Sequence, residues 1–246
     1  SMNQQMWKHV QTQENLALLI DLGVTVIGPD SGIQACGDIG SGRMTEPMEV
    51  VNTLESQLAR GPLAHRKVVI TAGPTYEPID PVRYLANRSS GKMGFALAAA
   101  ASRLGGSVTL ISGPAHLETP SGVARIDIET AQEMLVAVEN SLDDTDIFIG
   151  AAAVCDMRPA KPSTNKLKKS IDNLSTIELT ENADVIQAVA NNRRRPTLVI
   201  GFAAETDSVL KNAKEKLLAK SLDAVIANCV ANGDIFGLDN TQVTLI

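Results

Sequence analysis

The sequence predicts an α/β chain built on a doubly wound, mostly parallel sheet with helices on both faces. Two observations carry this. From Arg66 onward, short apolar runs alternate with amphipathic stretches at helical spacing. Those runs are apolar throughout rather than at every second residue, as for strands covered on both sides. Several of them end in small residues, as in Ala72-Gly73-Pro74, Gly150-Ala151-Ala152 and Gly201-Phe202-Ala203. Ligands of such Rossmann-like sheets bind off the C-terminal strand ends, where the strand order reverses.

Taken in order, residues 15–22 read as a helix and 24–27 as a short strand, followed by a stretch rich in Gly, Pro and Asp. Residues 47–58 read as a second helix, with Pro47 in its first turn and Met48, Val51 and Leu54 on one face. This opening segment, residues 1–60, has too few apolar elements to bury a core of its own. Gly61-Pro62 punctuates a linker, so residues 61–246 form the second domain. There, strands are expected at 67–71, 107–111, 147–152, 197–202 and 224–227, and helices at 94–104, 130–141, 183–191 and 208–220. The last residues, 243–246, read as the middle of a strand, so the domain is expected to continue beyond them.

The 246 residues are 44% hydrophobic and 20% charged, an ordinary globular composition. No apolar run approaches the roughly 20 residues of a membrane span, and no secretory signal is visible. Cys36, Cys155 and Cys229 lack paired spacing, which argues against a zinc site or disulfide framework and fits a reducing cytoplasm. A net charge of −6 argues against general nucleic-acid binding.

The most informative stretch runs from Val68-Val69-Ile70 through Gly73-Pro74-Thr75 and Asp80-Pro81-Val82-Arg83 to Asn87-Arg88-Ser89-Ser90-Gly91-Lys92-Met93-Gly94. A buried strand enters a long loop, which then enters an Ala-rich helix. Backbone N–H groups at such a helix start are unpaired and suit a phosphate, although capping serines on a solvated loop would give the same pattern. A second strand ends at Gly150-Ala151-Ala152, with Asp156 at its mouth, where it can bind a hydroxyl or a metal. Lys166, Lys168 and Lys169 follow in a polar loop with Pro162, readable as a flap over a polyphosphate or as a solvated loop. Asn182-Ala183-Asp184-Val185-Ile186 opens a helix, with Asn182 or Thr180 as cap. Phe202 ends another strand, and Lys216 and Lys220 share a face of the next helix.

Thr-Ala-Gly-Pro-Thr, Glu77, Asp-Pro-Val-Arg, Asn87 and Ser-Ser-Gly-Lys-Met-Gly together resemble the signature of bacterial phosphopantothenoylcysteine synthetase. That ligase is usually the C-terminal half of a bifunctional coenzyme A biosynthesis protein whose N-terminal half is a flavin-dependent decarboxylase. The resemblance implies a dimeric enzyme joining 4′-phosphopantothenate to L-cysteine with CTP and Mg2+. Asn87 would hold the acyl group, Gly73, Ser90 and Gly94 the phosphates, and Lys166, in a Lys-x-Lys-Lys flap, the phosphates and activated acyl group. Gly150, Ala151, Ala152, Asp156, Phe202, Lys216 and Lys220 would contact the nucleotide. The turn Ala183, Asp184, Val185 and Ile186 would read cytosine by its backbone, with Ala183 replacing the family's proline. Cys155 stands where alanine is common. Asn3 and Cys36 resemble the decarboxylase's substrate-binding asparagine and proton-donating cysteine; the flavin-binding strands and catalytic histidine lie upstream, so FMN would belong to the full-length protein and this segment would not decarboxylate alone. Two other readings remain open from the residues: an NAD(P)-dependent oxidoreductase, weakened by the missing compact GxGxxG, and a non-catalytic flavoprotein assembly domain.

Overall fold

The computed structural model describes residues 2–34, 37–58, 61–168, 176–229 and 241–246. It contains two compact units, residues 1–59 and 60–246.

In the first unit, α1 (Gln4–Lys8) is capped by Asn3, whose Oδ1 accepts from Gln5 N, and is followed by α2 (Val10–Asp21). An antiparallel pair follows, β1 (Asp30–Ile33) and β2 (Ile39–Arg43), then α3 (Pro47–Leu58). The strand expected at 24–27 is not formed. The pairing is made instead by the Gly- and Ser-rich segments that follow. The glycines of β2 let the start of the chain lie against it: a Cβ on Gly42 would stand 2.2 Å from Met2 O, and one on Gly40 2.3 Å from Gln4 Oε1. Val10, Leu18, Ile20 and Leu22 remain exposed.

In the second unit, β3 (Lys67–Ala72) leads through the short hairpin β4 (Tyr76–Pro78) and β5 (Tyr84–Ala86) to α4 (Lys92–Arg103). Then come β6 (Ser107–Ser112), β7 (Val123–Asp127), α5 (Ala131–Ser141) and β8 (Ile147–Gly150). A second hairpin, β9 (Met157–Pro159) with β10 (Leu179–Glu181), precedes α6 (Val185–Ala190). The chain continues through β11 (Leu198–Glu205), α7 (Val209–Ala219), β12 (Ala224–Cys229) and β13 (Thr244–Leu245).

The main sheet has the order β13-β12-β11-β8-β3-β6-β7. Every pairing in it is parallel except the antiparallel β13 edge. Side chains alternate across this pleat. Val68, Ile70, Val108 and Leu110 pack with Phe95, Ala98 and Ala101 of α4 on one face. Val69, Phe148, Val199 and Val225 pack with Met134 and Val138 of α5, Val185 and Val189 of α6 and Ala213 of α7 on the other. The doubly wound, mostly parallel α/β architecture read from the sequence is therefore the one formed. The edge β7 escaped pattern reading because Arg125 interrupts it. That guanidinium lies 5.1 Å from the centre of the Phe95 ring and pairs with Asp127.

From β3 the chain moves outward one way to β6 and β7, then returns to the other side of β3 for β8. The reversal falls between β3 and β8, so the crevice beyond their C-terminal ends is where such a sheet binds ligands.

Candidate active site

Both strands at the reversal end in small residues, and their exits pair closely. Ala151 N donates to Thr71 O at 3.2 Å and Ala153 N to Gly73 O at 2.8 Å. Gly73 takes φ +73°, a left-handed conformation glycine adopts without steric cost. Gly91, also left-handed, caps α4 and lies against Gly73: a Cβ on Gly91 would stand 3.5 Å from Gly73 Cα. The turn after β3 and the start of α4 thus form one surface. Ser89 Oγ accepts from Gly91 N at 3.2 Å and Ser90 Oγ from Lys92 N at 3.5 Å. Gly94, in the first turn, has a second task, because a Cβ there would stand 2.4 Å from Ala72 Cβ. Its missing side chain is what lets α4 approach β3.

Beyond β8 and β11 lies a cavity of about 440 Å³. Gly150, Ala152 and Asp156 form one wall, Ala183 to Ile186 a second, and Phe202, Lys216 and Lys220 a third. The structure therefore gathers most of the expected nucleotide residues, drawn from four separate chain segments. Gly73, Ser90, Gly94, Asn87 and Ala151 lie outside its lining, and the pairing of Ala153 with Gly73 connects the cavity to the α4 N-terminus. Lys166 is exposed, and it also lies outside the lining.

The cavity walls are held by specific polar contacts. Lys220 Nζ lies 2.6 Å from Asp184 Oδ2. Burial pushes the Asp184 carboxyl up, but Lys220, the Gln187 N–H and Lys216 more than offset this and hold it below its ordinary range. Lys216 Nζ donates to Phe202 O at 2.6 Å. Burial lowers the affinity of that amine for its proton, and Lys220 lowers it further, against the pull of Asp184, Glu205 and Asp156. The two lysines share the lining with Asp156, Glu181 and Asp184, so the cavity wall is of mixed charge.

Asn182 is not the helix cap. Asp184 is, its Oδ1 accepting from Gln187 N at 3.1 Å. Asn182 instead stitches two walls together: its N donates to Asp156 O at 2.8 Å and its Nδ2 to Cys155 O at 2.9 Å. Arg158 Nη1 donates to Asn182 Oδ1 and to Glu181 O. Sequence reasoning missed this role because a helix-start asparagine reads first as a cap. Thr71, Phe148 and Gln187 also line the cavity without any sequence signal beyond strand or helix patterning.

Asn87 Nδ2 donates to Val154 O at 2.9 Å, tying the loop after β5 to the loop after β8. Cys155 is buried, and burial pushes its thiol up, partly opposed by hydrogen bonds from Thr75 and the Asn87 backbone. It behaves as a small packing residue. Glu77 is fully buried and accepts from Ala131 N at 3.0 Å, so this signature residue secures the start of α5. In the first unit, Asn3 Nδ2 also donates to Asp38 Oδ2 at 3.4 Å. Cys36 and Lys169 lie outside the described residues. Among those residues, no group of three or more His, Cys, Asp and Glu side chains assembles a metal site, and no helix is long and apolar enough to cross a membrane.

Residues 63–246 match the family model described as the DNA/pantothenate metabolism flavoprotein C-terminal domain. The chain belongs to this family. Residues 1–59 match the Flavoprotein family model. The coenzyme A biosynthesis bifunctional protein CoaBC of Vibrio cholerae is 49% identical over 247 residues, covering 100% of this chain and 62% of that protein. The Escherichia coli protein of the same name is 48% identical over 250 residues, covering 100% and 61%. The chain thus spans under two thirds of the length of these relatives. A crystal structure of the C-terminal domain of a CoaBC protein superposes with a TM-score of 0.61 at 37% identity, covering 75% of this chain and 87% of that one. This member of the pantothenate flavoprotein family therefore shares sequence and fold with CoaBC proteins across its second unit.

Proposed function

We propose that residues 61–246 form a CTP-dependent phosphopantothenate–cysteine ligase of coenzyme A biosynthesis, and that residues 1–60 are the C-terminal part of a flavin-dependent decarboxylase domain. The observation that carries this reading is the cavity beyond β8 and β11, beside the strand-order reversal, lined by small strand ends, a helix-start turn and two lysines, and adjoining the turn that meets the α4 N-terminus. It has features a nucleoside triphosphate can use: a slot for a base, two lysine ammonium groups, and helix-start N–H groups held only by serine hydroxyls that a phosphate can displace. The names of the relatives support the pathway, and the two family matches support the division of the chain.

In this reading the turn Ala183 to Ile186 presents backbone donors and acceptors to the cytosine edge. Lys216 and Lys220 contact the nucleotide, while Gly73, Ser90 and Gly94 cradle its phosphates, an incoming phosphate taking over N–H groups now served by serine hydroxyls. The substrate carboxylate attacks the α-phosphorus of CTP, forming the acyl–O–P bond and expelling pyrophosphate. The cysteine amine then attacks the acyl carbon, forming the amide, releasing CMP and losing a proton. Asn87 spends one Nδ2 proton on Val154 O, which orients the amide so that its second Nδ2 proton can donate to the acyl oxygen. Lys166 supplies charge to the phosphates and acyl oxygen during transfer. A magnesium ion would neutralise the triphosphate; one carboxylate at a cavity mouth, Asp156, fits an ion that keeps water and phosphate ligands.

The enzyme works as a cytoplasmic homodimer, and FMN, with Asn3 and Cys36, serves the decarboxylase of the longer parent protein. Incubating the chain with 4′-phosphopantothenate, CTP and Mg2+, without cysteine, is expected to accumulate the acyl-cytidylate, visible by mass spectrometry. Adding cysteine should convert it to phosphopantothenoylcysteine and CMP. Absence of the acyl-cytidylate, with no product on adding cysteine, would refute the ligase reading.

A further inference from the structure

Asp80 is a carboxylate with no exposed side chain, in the tip between β4 and β5. A buried carboxylate is costly unless its lone pairs are filled. Here they are. Oδ1 accepts from Val82 N and Arg83 N, both at 2.9 Å. Oδ2 accepts from Arg83 Nε at 3.0 Å and from Arg83 Nη2 in a close ion pair. These four bonds stay within the hairpin tip. The fifth does not: Leu167 N, 87 residues away in sequence, donates to Oδ2 at 3.2 Å. Arg83 Nη2 also donates to Leu167 O at 3.0 Å. The carboxylate and guanidinium therefore grip the Leu167 residue by both its N–H and its C=O.

Nearby, Ser163 N donates to Ile79 O at 2.9 Å, and Ser163 Oγ closes a local turn with Asn165 O and N. Residues 163–168 carry no helix or strand of their own. Lys166 sits between this anchored turn and the gripped Leu167.

We propose that Asp80, acting with Arg83, is a positioning residue that latches the Lys166-bearing segment and fixes where Lys166 enters the site. This rests on the reading of Lys166 given above. Five donors hold the carboxylate ionised against its burial: the Arg83 guanidinium foremost, with the Val82, Leu167 and Arg83 N–H groups, more than offsets the desolvation and keeps its pKa well below the usual range. The latch therefore persists at any pH at which the enzyme would work.

The latch is testable without the reaction. Trypsin cuts after Lys166, at the bond whose N–H belongs to Leu167, and cleavage requires that local contacts open. With the full chain, Asp80→Asn and Arg83→Lys are each expected to speed cleavage at Lys166–Leu167 about tenfold or more, with cleavage after Arg103 at the end of α4 unchanged. Arg83→Lys keeps the charge but loses the fork that reaches Leu167 O, and it decides the matter should Asp80→Asn unfold. A second readout is acyl-cytidylate formation. Asp80→Asn should slow it about tenfold in the wild type and less than about twofold in the Lys166→Gln background, because Asp80 acts through Lys166. Unchanged cleavage at Lys166, a rise matched after Arg103 in Arg83→Lys, or a full additional loss in the double variant would overturn the latch. A wild-type chain without acyl-cytidylate formation would instead remove the ligase reading, and the trypsin result would still judge the latch.

Discussion

Replacing Lys166 by glutamine is expected to slow acyl-cytidylate formation by about a hundredfold or more, the scale on which removal of one transition-state donor acts. The charge on the transferring phosphoryl and acyl oxygens grows as the new bond forms, so a fixed ammonium helps most there. Lys166 is exposed and packs against little, so stability should change by no more than roughly 0.5 kcal/mol. Its neighbour Leu167 would still be held by Asp80 and Arg83. Single-turnover measurement with CTP and 4′-phosphopantothenate, paired with a thermal melt, checks both halves. Wild-type rates in a folded variant would return this segment to an ordinary solvated loop.

The second large effect is structural. Gly113→Ala would set a Cβ 1.7 Å from Pro74 O and 2.8 Å from Pro74 C. Both contacts are with backbone, so no side chain can swing aside. The exit of β6 would have to part from the Gly73-Pro74 turn, which is itself paired to Ala153. Overpacking of this kind costs about 1–3 kcal/mol or more. For a chain of this size that lowers Tm by roughly 2–12 °C. The same movement would displace Gly73 from Gly91, so nucleotide affinity should fall with stability. Thermal denaturation followed by circular dichroism gives the first quantity and CTP titration the second. An unchanged Tm would mean that the two turns can separate freely.

The parallel strands inside the sheet and their helices were legible, the edge strand β7 apart, because burial on both faces forces continuous apolar runs such as Val68-Val69-Ile70 and Ile147-Phe148-Ile149. The lysines at 216 and 220 were legible as a pair because helix geometry places them on one face. What remained hidden depends on contacts remote in sequence. The three-residue strands of the two hairpins are too short to show a period. Residues 24–27 look like a strand by composition, but β-propensity is a weak guide without a partner, and the pairing went to Gly-rich neighbours. Asn182 reads as a cap, and only the approach of Cys155 and Asp156 makes it a stitch between walls. Glu77 reads as part of a loop signature, and only the arrival of α5 explains its burial.

Nucleotide selectivity tests the central claim most directly. In the proposed reading the base slot ends at a backbone turn, Ala183 to Ile186, fixed by the Asp184 cap, the Lys220 ion pair and the Asn182 bonds. A rigid turn offers one donor and acceptor pattern, and a site built to satisfy one base rejects another whose groups leave buried partners unpaired. Pyrophosphate release should be measured with 4′-phosphopantothenate, L-cysteine and Mg2+, supplying CTP or ATP at equal concentration. The account predicts release at least about tenfold faster with CTP and dependent on phosphopantothenate. Equal rates with ATP, or release that does not require phosphopantothenate, would contradict it.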